Sequence, residues 1–569
     1  MNRLSQFKRS YSLLPQGAQA YIGGKWTASE TGNSFDVLNP FNNEVVDRAT
    51  NCTVKDAEKA VHSALEGFDK WAHTYSAKQR GAILHKWFEI LVQRETELAT
   101  LLTKEQGKPL AEARGEIQYS AAYFDWYAGE ARRVYGQVVP SAVVNRLHLH
   151  TREPIGVVAL IAPWNFPTAM IARKAAAALS VGCSAVVKPS GDTPLSALAL
   201  AQTAEEAGIP AGVFNVITAD HSNTAEISKY LCESTDVSAI SFTGSTPVGK
   251  LLLAQSASTV KRVCLELGGN APLIVFDDAD LDVAVNGTMA TKFRCSGQTC
   301  VSANRIYVHE KIHDQYISKL AAAMKEKLVL GDGLNPKTTQ GPLVNQKAVD
   351  KCELLLSDAL GKGSELICGG KRGEHGTSYE PTLITNVQSN TNIAHTEIFG
   401  PIASVQKFRD EQEVLEAANN CRVGLAGYVF GRDQSRLQRV ARKLEVGMVG
   451  VNEGLISCAE AAFGGVKESG IGREGGAQGI DEFTNWNCRV AAIPCIYHLP
   501  IFFFFHCNFF LTRDEEKWFL GHGRRADKFQ RPFILLCCFP PVFFCFSQLF
   551  PMLKRFPSKK IMYSVGKQR

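Results

Sequence analysis

The sequence predicts an α/β protein of two domains, and three observations support this fold class. The chain has 569 residues, which is enough for two or three domains with well-buried interiors. From residue 153, short runs rich in β-branched residues alternate with longer alanine- and leucine-rich stretches. That alternation is typical of a parallel sheet whose strands are joined by crossover helices. A second alternating region begins at residue 271 and extends to about residue 453.

The first region predicts four strands in order, IGVVALIAP, SAVVKPS, VFNVI and VSAISF. Two predicted helices between them, AMIARKAAAALSVG and LSALALAQTAEEAG, each end at a glycine, a common helix terminator. Residues 55–130 are predicted to be helices that pack against this sheet. Ligands of such open sheets bind beyond the carboxyl ends of the strands, which here carry Asn165, Lys188 and residues 243–245.

The segment 136–152 alternates like a β-hairpin but has no neighbouring helix to cover it. Uncovered strands tend to pair with another chain, so we expect this hairpin to meet a second subunit in a homo-oligomer.

The two ends of the chain differ from its body. Residues 1–11 are basic and serine-rich, with Leu4, Phe7 and Tyr11 at helical spacing, which is typical of a mitochondrial presequence. A frayed basic terminus is the alternative. The last seventy residues hold about half of the 31 phenylalanines, in runs without a helical or strand period. We therefore expect residues 484–569 to be an atypical hydrophobic tail outside the core fold, and we do not expect a membrane anchor, because prolines interrupt its uncharged stretch.

Charge and cysteine content argue against two classes of function. The formal net charge is +6, but residues 500–569 contribute 12 Lys or Arg against 4 Asp or Glu, so the rest is near neutral. No basic stripe interleaved with aromatic residues supports nucleic-acid binding. The 16 cysteines lack the paired CxxC spacing of a metal site, which favours reduced intracellular thiols.

The segment SFTGSTPVGKLLLA, from Ser241, predicts a strand, a glycine turn and a helix. Gly244 can form the tight turn, and Gly249 permits close backbone approach, so the loop is predicted to bind phosphate groups at the helix N-terminus. The spacing also imitates a nucleoside-triphosphatase loop, which needs Ser or Thr after GK. Leu251 stands there instead and cannot ligate magnesium. A glycine turn without any ligand is the other alternative.

The segment RCSGQTCVSANR contains two candidate nucleophiles, Cys295 and Cys300. A catalytic thiol must be reachable by substrate, whereas a thiol in apolar surroundings stays protonated and inert. Cys300 follows small polar residues that leave room for a substrate carbon. Cys295 lies beside Phe293 and Arg294 and has no assigned task.

Seven motifs in order resemble those of the aldehyde dehydrogenase superfamily over about residues 18–483. They are PWNFP (163–167), VVKPS (186–190), FTGSTPVG (242–249), LELGGNAP (265–272), GQTCV (297–301), EIFGP (397–401) and AFGG (462–465). AMIARKAAAAL, KFRCSGQTC, VGMVGVNEGLIS and GGVKESGIGREG are most similar to the branch that oxidises succinate semialdehyde to succinate in GABA degradation.

The resemblance implies an aldehyde-dehydrogenase-like fold. Its Rossmann-type dinucleotide-binding domain would cover residues 12–266, with 449–483 returning to it, and its catalytic domain would cover 267–448. It also implies the oligomerisation role of the hairpin, a dimer of dimers and a location in the mitochondrial matrix.

The family's mechanism, carried over by motif, implies roles for three residues. Cys300 would attack the aldehyde carbon, and the oxyanion would accept hydrogen bonds from the Asn165 amide and the Cys300 backbone N–H. Glu266 would deprotonate the water that hydrolyses the thioester. Because Glu266 lies between two leucines, the alternative of a surface carboxylate is weak.

The resemblance also implies NAD or NADP as the cofactor. One departure bears on the choice: many relatives have Glu where this chain has Gly191, and without that carboxylate a 2′-phosphate is not repelled. The implied contacts to the cofactor are made by Trp164, Lys188, Pro189, Ser190, Gly191, Gly244, Ser245, Thr246, Pro247, Val248, Gly249, Glu397 and Phe399.

Arg173 and Arg294 match the family positions that hold a substrate carboxylate, and Ser457 adds a hydrogen bond. Internal salt bridges are the alternative role for these arginines.

Three alternatives to the implied function remain open. Glutarate semialdehyde is an alternative substrate. The rival functions are a non-catalytic protein on the same fold and a membrane-tethered enzyme that acts on fatty aldehydes. Ser302 stands where animal relatives often have a regulatory cysteine, and whether Cys295 can pair with Cys300 stays open.

Overall fold

The computed structural model describes residues 13, 14 and 17–492, all within one compact unit, Met1–Cys495. The predicted presequence at 1–11 lies outside the described residues, as does the tail beyond Ala492.

The described chain begins with short strands and then four helices, in the region where the sequence predicts helices. Two buried indoles join these helices to later ones: Trp71 Nε1 donates to the Leu179 carbonyl at 2.8 Å, and Trp87 Nε1 donates to Thr203 Oγ1 at 2.9 Å. The elements are β1 Ala20–Ile22, β2 Lys25–Thr27, β3 Ser34–Leu38, β4 Val45–Thr50, α1 Val54–Thr74, α2 Ala77–Gln93, α3 Glu95–Gln106 and α4 Leu110–Glu130.

The next segment builds the first sheet. Its elements are β5 Gln137–Val139, β6 Arg146–Pro154, β7 Val157–Ile161, α5 Ala169–Val181, β8 Ser184–Lys188, α6 Pro194–Ala207, β9 Phe214–Val216, α7 His221–Glu233, β10 Val237–Thr243, α8 Thr246–Ser256 and β11 Arg262–Glu266. Strands β9-β8-β7-β10-β11 are parallel neighbours in that order. The chain therefore moves to one side of β7 and then to the other, which opens a crevice between the carboxyl ends of β7 and β10.

A second parallel sheet follows, in the order β14-β15-β16-β13-β12-β18-β19, with β14 antiparallel. Its segment comprises β12 Ala271–Val275, α9 Leu281–Lys292, β13 Ala303–His309, α10 His313–Lys327, α11 Gln346–Gly361, β14 Glu365–Cys368, β15 Thr382–Thr385, α12 Asn392–His395, β16 Ile402–Phe408, α13 Glu411–Asn419, β17 Val423–Gly424, β18 Ala426–Phe430, α14 Gln434–Lys443 and β19 Met448–Val451.

The return of the chain to the first sheet begins later than predicted. Residues 449–451 were assigned to the returning segment, but β19 pairs in parallel with β18 of the second sheet. The return is made by β20 Val466–Lys467 and β21 Gly470–Ile471, since β21 pairs antiparallel with β11. A short apolar run such as residues 448–451 fits the edge of either sheet, so the sequence could not assign it.

The boundary predicted for the tail is wrong by nine residues. Strand β22, Thr484–Ala492, pairs antiparallel with all of β6, and β5 pairs on the other side of β6. The partner strand lies over 300 residues earlier in the sequence, and most of β22 is exposed, so no buried alternation marks it. Residues 484–492 thus belong to the three-stranded sheet that contains the predicted hairpin.

Two features are absent from the described residues. None of their helices is long and apolar enough to cross a membrane. Likewise, no group of three or more His, Cys, Asp or Glu in the described part of the chain could hold a metal ion.

Candidate active site

A cavity of about 350 Å³ lies at the crevice between β7 and β10. The first sheet contributes residues that follow its strands, and the second sheet's segment supplies the opposite wall. Of the residues predicted from sequence, the cavity is lined by Trp164, Asn165, Arg173, Gly244, Ser245, Glu266, Arg294, Cys300, Glu397, Phe399 and Ser457. The other predicted cofactor residues, Lys188, Pro189, Ser190, Gly191, Thr246, Pro247, Val248 and Gly249, are not part of its lining.

The two cysteines occupy different environments. Cys300 is half-buried and lines the cavity, and burial raises the pKa of its thiol to about 12. Cys295 is only 2% exposed and packs in the core, where Gln106 Nε2 and the Asn165 carbonyl lie 3.6 Å from its sulfur. Both are free thiols. Cys300 is thus the sulfur that a bound substrate can reach, and with so high a pKa it needs a base to become a nucleophile.

A left-handed turn precedes Cys300. Cys295, Ser296 and Gly297 have φ angles of 52°, 53° and 74°. A Cβ added to Gly297 would lie 2.2 Å from the Gly400 carbonyl oxygen, so only glycine fits there. Non-glycine residues in this conformation cost about 1–2 kcal/mol each, and the Ser296 hydroxyl, which donates to the Gly341 carbonyl at 2.8 Å, helps to hold the turn.

Glu266 is 2% exposed, and neither of its carboxyl oxygens has a hydrogen-bond partner among the described residues. Burial, and then the nearby carboxylate of Glu474, hold the pKa of Glu266 well above its ordinary value. A pKa raised in this way favours the protonated acid, so the carboxylate that can act as a base forms at higher pH than in an exposed glutamate.

Asn165 is held from two sides. Its side-chain Nδ2 donates to the Gln298 carbonyl at 2.9 Å, and its own carbonyl accepts from Lys108 Nζ at 2.7 Å. Lys108 also forms a buried ion pair with Glu116 at 2.6 Å. The second oxygen of Glu116 accepts from the backbone N–H and the hydroxyl of Thr168 at 3.0 and 2.7 Å. This ion pair therefore fixes the loop between β7 and α5 on which Asn165 lies.

Arg173 forms the internal salt bridge that the sequence left open as its alternative role, and it also lines the cavity. Its Nε donates to Glu474 at 2.5 Å inside the protein, while its Nη2 is buried and has no hydrogen-bond partner among the described residues. Arg294 stacks over the Phe166 ring at 4.8 Å and has no ion-pair partner in the described part of the chain. Both guanidinium groups line the cavity that contains Cys300. Ser457 lies on the same lining and is half-buried.

The glycine loop has the features that a dinucleotide requires. A Cβ at Gly249 would meet Leu267 Cδ2 at 2.4 Å, so glycine is needed for helix α8 to approach β11. The helix N-cap, Ser245, makes no side-chain capping bond, which leaves N–H groups free for an anion. Lys250 instead forms a surface ion pair with Glu468 at 3.0 Å, as expected if the loop is not a nucleoside-triphosphatase loop.

Three further residues frame the region predicted to hold the cofactor. Glu397 accepts from the Gly269 N–H at 2.9 Å, and burial raises its pKa to about 7. Lys188 donates to Thr224 at 2.7 Å, and burial lowers its pKa to about 8. A Cβ at Gly191 would lie 2.9 Å from the Ala219 carbonyl oxygen, so a longer side chain there requires a shift of the backbone.

Sequence reasoning missed four residues that build this site. Lys108, Glu116 and Tyr119 lie on α4 or just before it, outside the quoted motifs, whereas Glu474 lies within GGVKESGIGREG but received no role from it. The available signal was charge in an apolar context, because Lys108 and Glu116 lie in a helical region with buried neighbours.

The site combines a reachable thiol, an unpartnered buried carboxyl group and a glycine loop at one crevice. This combination defines an enzyme of the nucleotide-linked oxidoreductase class.

Residues 26–488 match the aldehyde dehydrogenase family. A mitochondrial succinate-semialdehyde dehydrogenase from Mus musculus is 49% identical over 84% of this chain and 92% of its own. A 3-sulfolactaldehyde dehydrogenase from Pseudomonas putida is 50% identical over 83% and 96%. The crystal structure of a succinate-semialdehyde dehydrogenase from Burkholderia pseudomallei superposes with a TM-score of 0.82 at 47% identity, covering 84% of this chain and 98% of that one.

The chain belongs to the aldehyde dehydrogenase family, whose members are NAD(P)-dependent enzymes. Membership of this enzyme family argues against the rival interpretation of a non-catalytic protein on the same fold.

Proposed function

We propose that this protein oxidises succinate semialdehyde to succinate with NAD or NADP. The observation that carries the proposal is the pair of arginines at the cavity of Cys300. Arg173 presents a buried Nη2 without a hydrogen-bond partner among the described residues, and Arg294 lines the same cavity and forms no ion pair in the described part of the chain. Guanidinium groups in a desolvated cavity bind a carboxylate strongly, and they disfavour a neutral or long-chain aldehyde.

The first step is attack on the aldehyde. Glu266, as carboxylate, takes the proton of the Cys300 thiol, and the sulfur forms a bond to the aldehyde carbon. The carbonyl π-electrons move to oxygen, and the resulting oxyanion accepts hydrogen bonds from the Asn165 amide and the Cys300 backbone N–H. The Lys108–Glu116 ion pair holds Asn165 in place for this contact.

When bound, the cofactor would accept the hydride that leaves the former aldehyde carbon as the oxyanion re-forms the carbonyl group, and the thiohemiacetal thereby becomes a thioester. Residues 244–249 would contact its pyrophosphate, Glu397 its nicotinamide ribose and Lys188 its adenosine ribose. Trp164 and Phe399, whose rings meet edge to face at 5.5 Å, form an apolar wall beside Cys300. The residues present therefore fit a dinucleotide, and the absence of a carboxylate at Gly191 leaves both NAD and NADP acceptable.

The last step is hydrolysis of the thioester on Cys300. Glu266 takes a proton from water, the hydroxide oxygen bonds to the acyl carbon, and the carbon–sulfur bond breaks to release succinate and the thiolate. The unpartnered oxygens of Glu266 are available for this water.

Two other anionic aldehydes are alternatives. Glutarate semialdehyde adds one methylene to the same carboxylate. The sulfonate substrate named for the Pseudomonas putida relative is an anion that two arginines also suit. Both alternatives keep the chemistry and change only the acid group or its distance from the aldehyde.

One kinetic experiment tests the proposal. kcat/KM is measured for succinate semialdehyde, glutarate semialdehyde, 3-sulfolactaldehyde and butanal, each with NAD and with NADP. We expect succinate semialdehyde to give the highest value, at least 100-fold above butanal. A preference for butanal would refute the role of the arginines, and a preference for another anion would move the proposal to that substrate.

We also propose that the protein acts in the mitochondrial matrix as a dimer of dimers. Support comes from the basic N-terminal sequence, from the mitochondrial relatives and from the exposed apolar residues Val138, Trp486 and Val490 on the three-stranded sheet. Import of a fluorescent fusion and the mass of the purified protein in solution test these two statements.

A further inference from the structure

Helix α4 presents a pair of tyrosines to the cavity that no motif predicts. Tyr119 and Tyr123 are one helical turn apart, and their hydroxyl oxygens lie 2.5 Å from each other. Tyr123 is fully buried, whereas Tyr119 is half-buried and lines the cavity with Cys300, Arg173 and Arg294.

The direction of this hydrogen bond follows from burial. Two hydroxyl groups have two protons, and only one proton can lie between the oxygens. The Tyr123 hydroxyl has no second hydrogen-bond partner among the described residues, so donating its proton to Tyr119 is the arrangement that leaves no buried donor unpaired. Tyr119 then accepts from Tyr123, and its own O–H is free to point into the cavity.

The free O–H faces the same space as the two guanidinium groups. Arg173, Arg294 and the Tyr119 hydroxyl each offer a donor to this cavity, and Glu474 already holds Arg173 by its Nε. Two guanidinium groups and a hydroxyl donor on one lining are complementary to an anion.

We propose that Tyr119 is a specificity-determining residue that donates a hydrogen bond to the substrate's carboxylate, with Tyr123 as the positioning residue that orients it. This inference rests on the proposed function, since it names a further contact for the same acid group. It gives a role to a Tyr119–Tyr123 hydrogen bond that no other contact of helix α4 accounts for.

The test compares Tyr119→Phe with Tyr123→Phe in the full-length protein. For Tyr119→Phe we expect kcat/KM for succinate semialdehyde to fall about 10- to 100-fold through KM, as for loss of a hydrogen bond to a charged acceptor. kcat/KM for butanal should change less than about threefold. Tyr123→Phe, which keeps the Tyr119 hydroxyl but removes its orienting donor, should show a smaller loss with the same selectivity.

A second measurement does not depend on turnover. Succinate should protect Cys300 from alkylation by iodoacetamide, and Tyr119→Phe should raise the half-protecting succinate concentration about 10-fold or more. An unchanged concentration, or an equal loss for both aldehydes, would overturn the inference. If wild-type protein prefers butanal but succinate protection is still lost in Tyr119→Phe, the proposed function fails and the anion contact stands.

Discussion

At the residue scale, the structure separates a reachable thiol from a buried one. We expect Cys300→Ala to abolish dehydrogenase turnover while dinucleotide binding persists, because residues 244–249 are untouched. Cys295→Ser is the matched control, and it should retain most of the activity since Cys295 lies outside the cavity lining. Steady-state kinetics and cofactor titration check both. Residual activity above about a hundredth in Cys300→Ala would be too high for loss of a covalent nucleophile.

The raised pKa of Glu266 predicts a pH dependence. Because burial and Glu474 hold the pKa above its ordinary value, the carboxylate forms at higher pH than in an exposed glutamate, so thioester hydrolysis should accelerate as the pH rises through that pKa. In Glu266→Gln the acyl-enzyme should accumulate and hydrolysis should lose this dependence. Intact-mass measurements during turnover report the acyl-enzyme, and only free enzyme in the variant would count against Glu266 as the base.

Arg294 should bind the acid group of the substrate and should have little effect on the reaction at its aldehyde group. Loss of one charge-assisted partner of a desolvated carboxylate costs about 2–4 kcal/mol, so Arg294→Ala should lower kcat/KM for succinate semialdehyde roughly 30- to 1000-fold. Propanal should be oxidised nearly as well as by wild type. Arg294→Lys, which keeps the charge without the planar fork, should lie in between; equal losses for both aldehydes would make Arg294 structural.

The sequence predicted these residues for a physical reason. Asn165 follows β7 and Glu266 ends β11, so chain order places both at the carboxyl edge of the first sheet, whereas Cys300 precedes β13 and was predicted from its motif. The environment of each could not be predicted in the same way. Side chains distant in sequence bury Cys300 and Glu266 and thereby raise their pKa values. The ion pair between Arg173 and Glu474 likewise joins residues that are far apart in the sequence.

At the element scale, the ion pair that fixes the loop between β7 and α5 should be needed for stability. Lys108→Met leaves the carboxylate of Glu116 buried without its partner, which should lower the free energy of unfolding by about 3–5 kcal/mol. The double variant Lys108→Met, Glu116→Gln removes both charges and should recover part of that loss. Urea denaturation measures the free energy of unfolding of both variants. If the double variant is no more stable than the single one, the hydrogen bonds to Thr168 contribute more to stability than charge compensation does.

The strands and helices of both sheets were largely predictable because their periodicity is local. Edges were not. Strand β19 is short and would fit the edge of either sheet, whereas strand β22 is mostly exposed and pairs with β6, more than 300 residues earlier in the sequence. That is why residues 449–451 and 484–492 were assigned wrongly.

At the scale of the whole molecule, strand β22 predicts where the chain can be shortened. We expect truncation after Ile493 to leave specific activity unchanged and to improve solubility, because it removes the phenylalanine-rich segment and keeps β22. Truncation after Phe483 is the control, and it should lose soluble yield, since β6 then has an open edge. Soluble yield, size-exclusion profile and kcat/KM are compared. If the full-length chain is soluble and the form that ends at Ile493 is inactive, the segment after Ile493 is part of the folded enzyme.

The pairing of β11 with β21 has a consequence for synthesis on the ribosome. The strand that ends in Glu266 is made about 200 residues before the strand that covers its outer edge. At ordinary elongation rates of about 5–20 residues per second, this edge stays open for roughly 10–40 seconds. During that time the nascent first sheet offers unpaired backbone groups to other chains, and the base and the thiol of the site lie on a crevice with no closed wall. Codon changes that slow translation between residues 267 and 471 should therefore lengthen the exposure and increase co-translational aggregation, without altering a single amino acid.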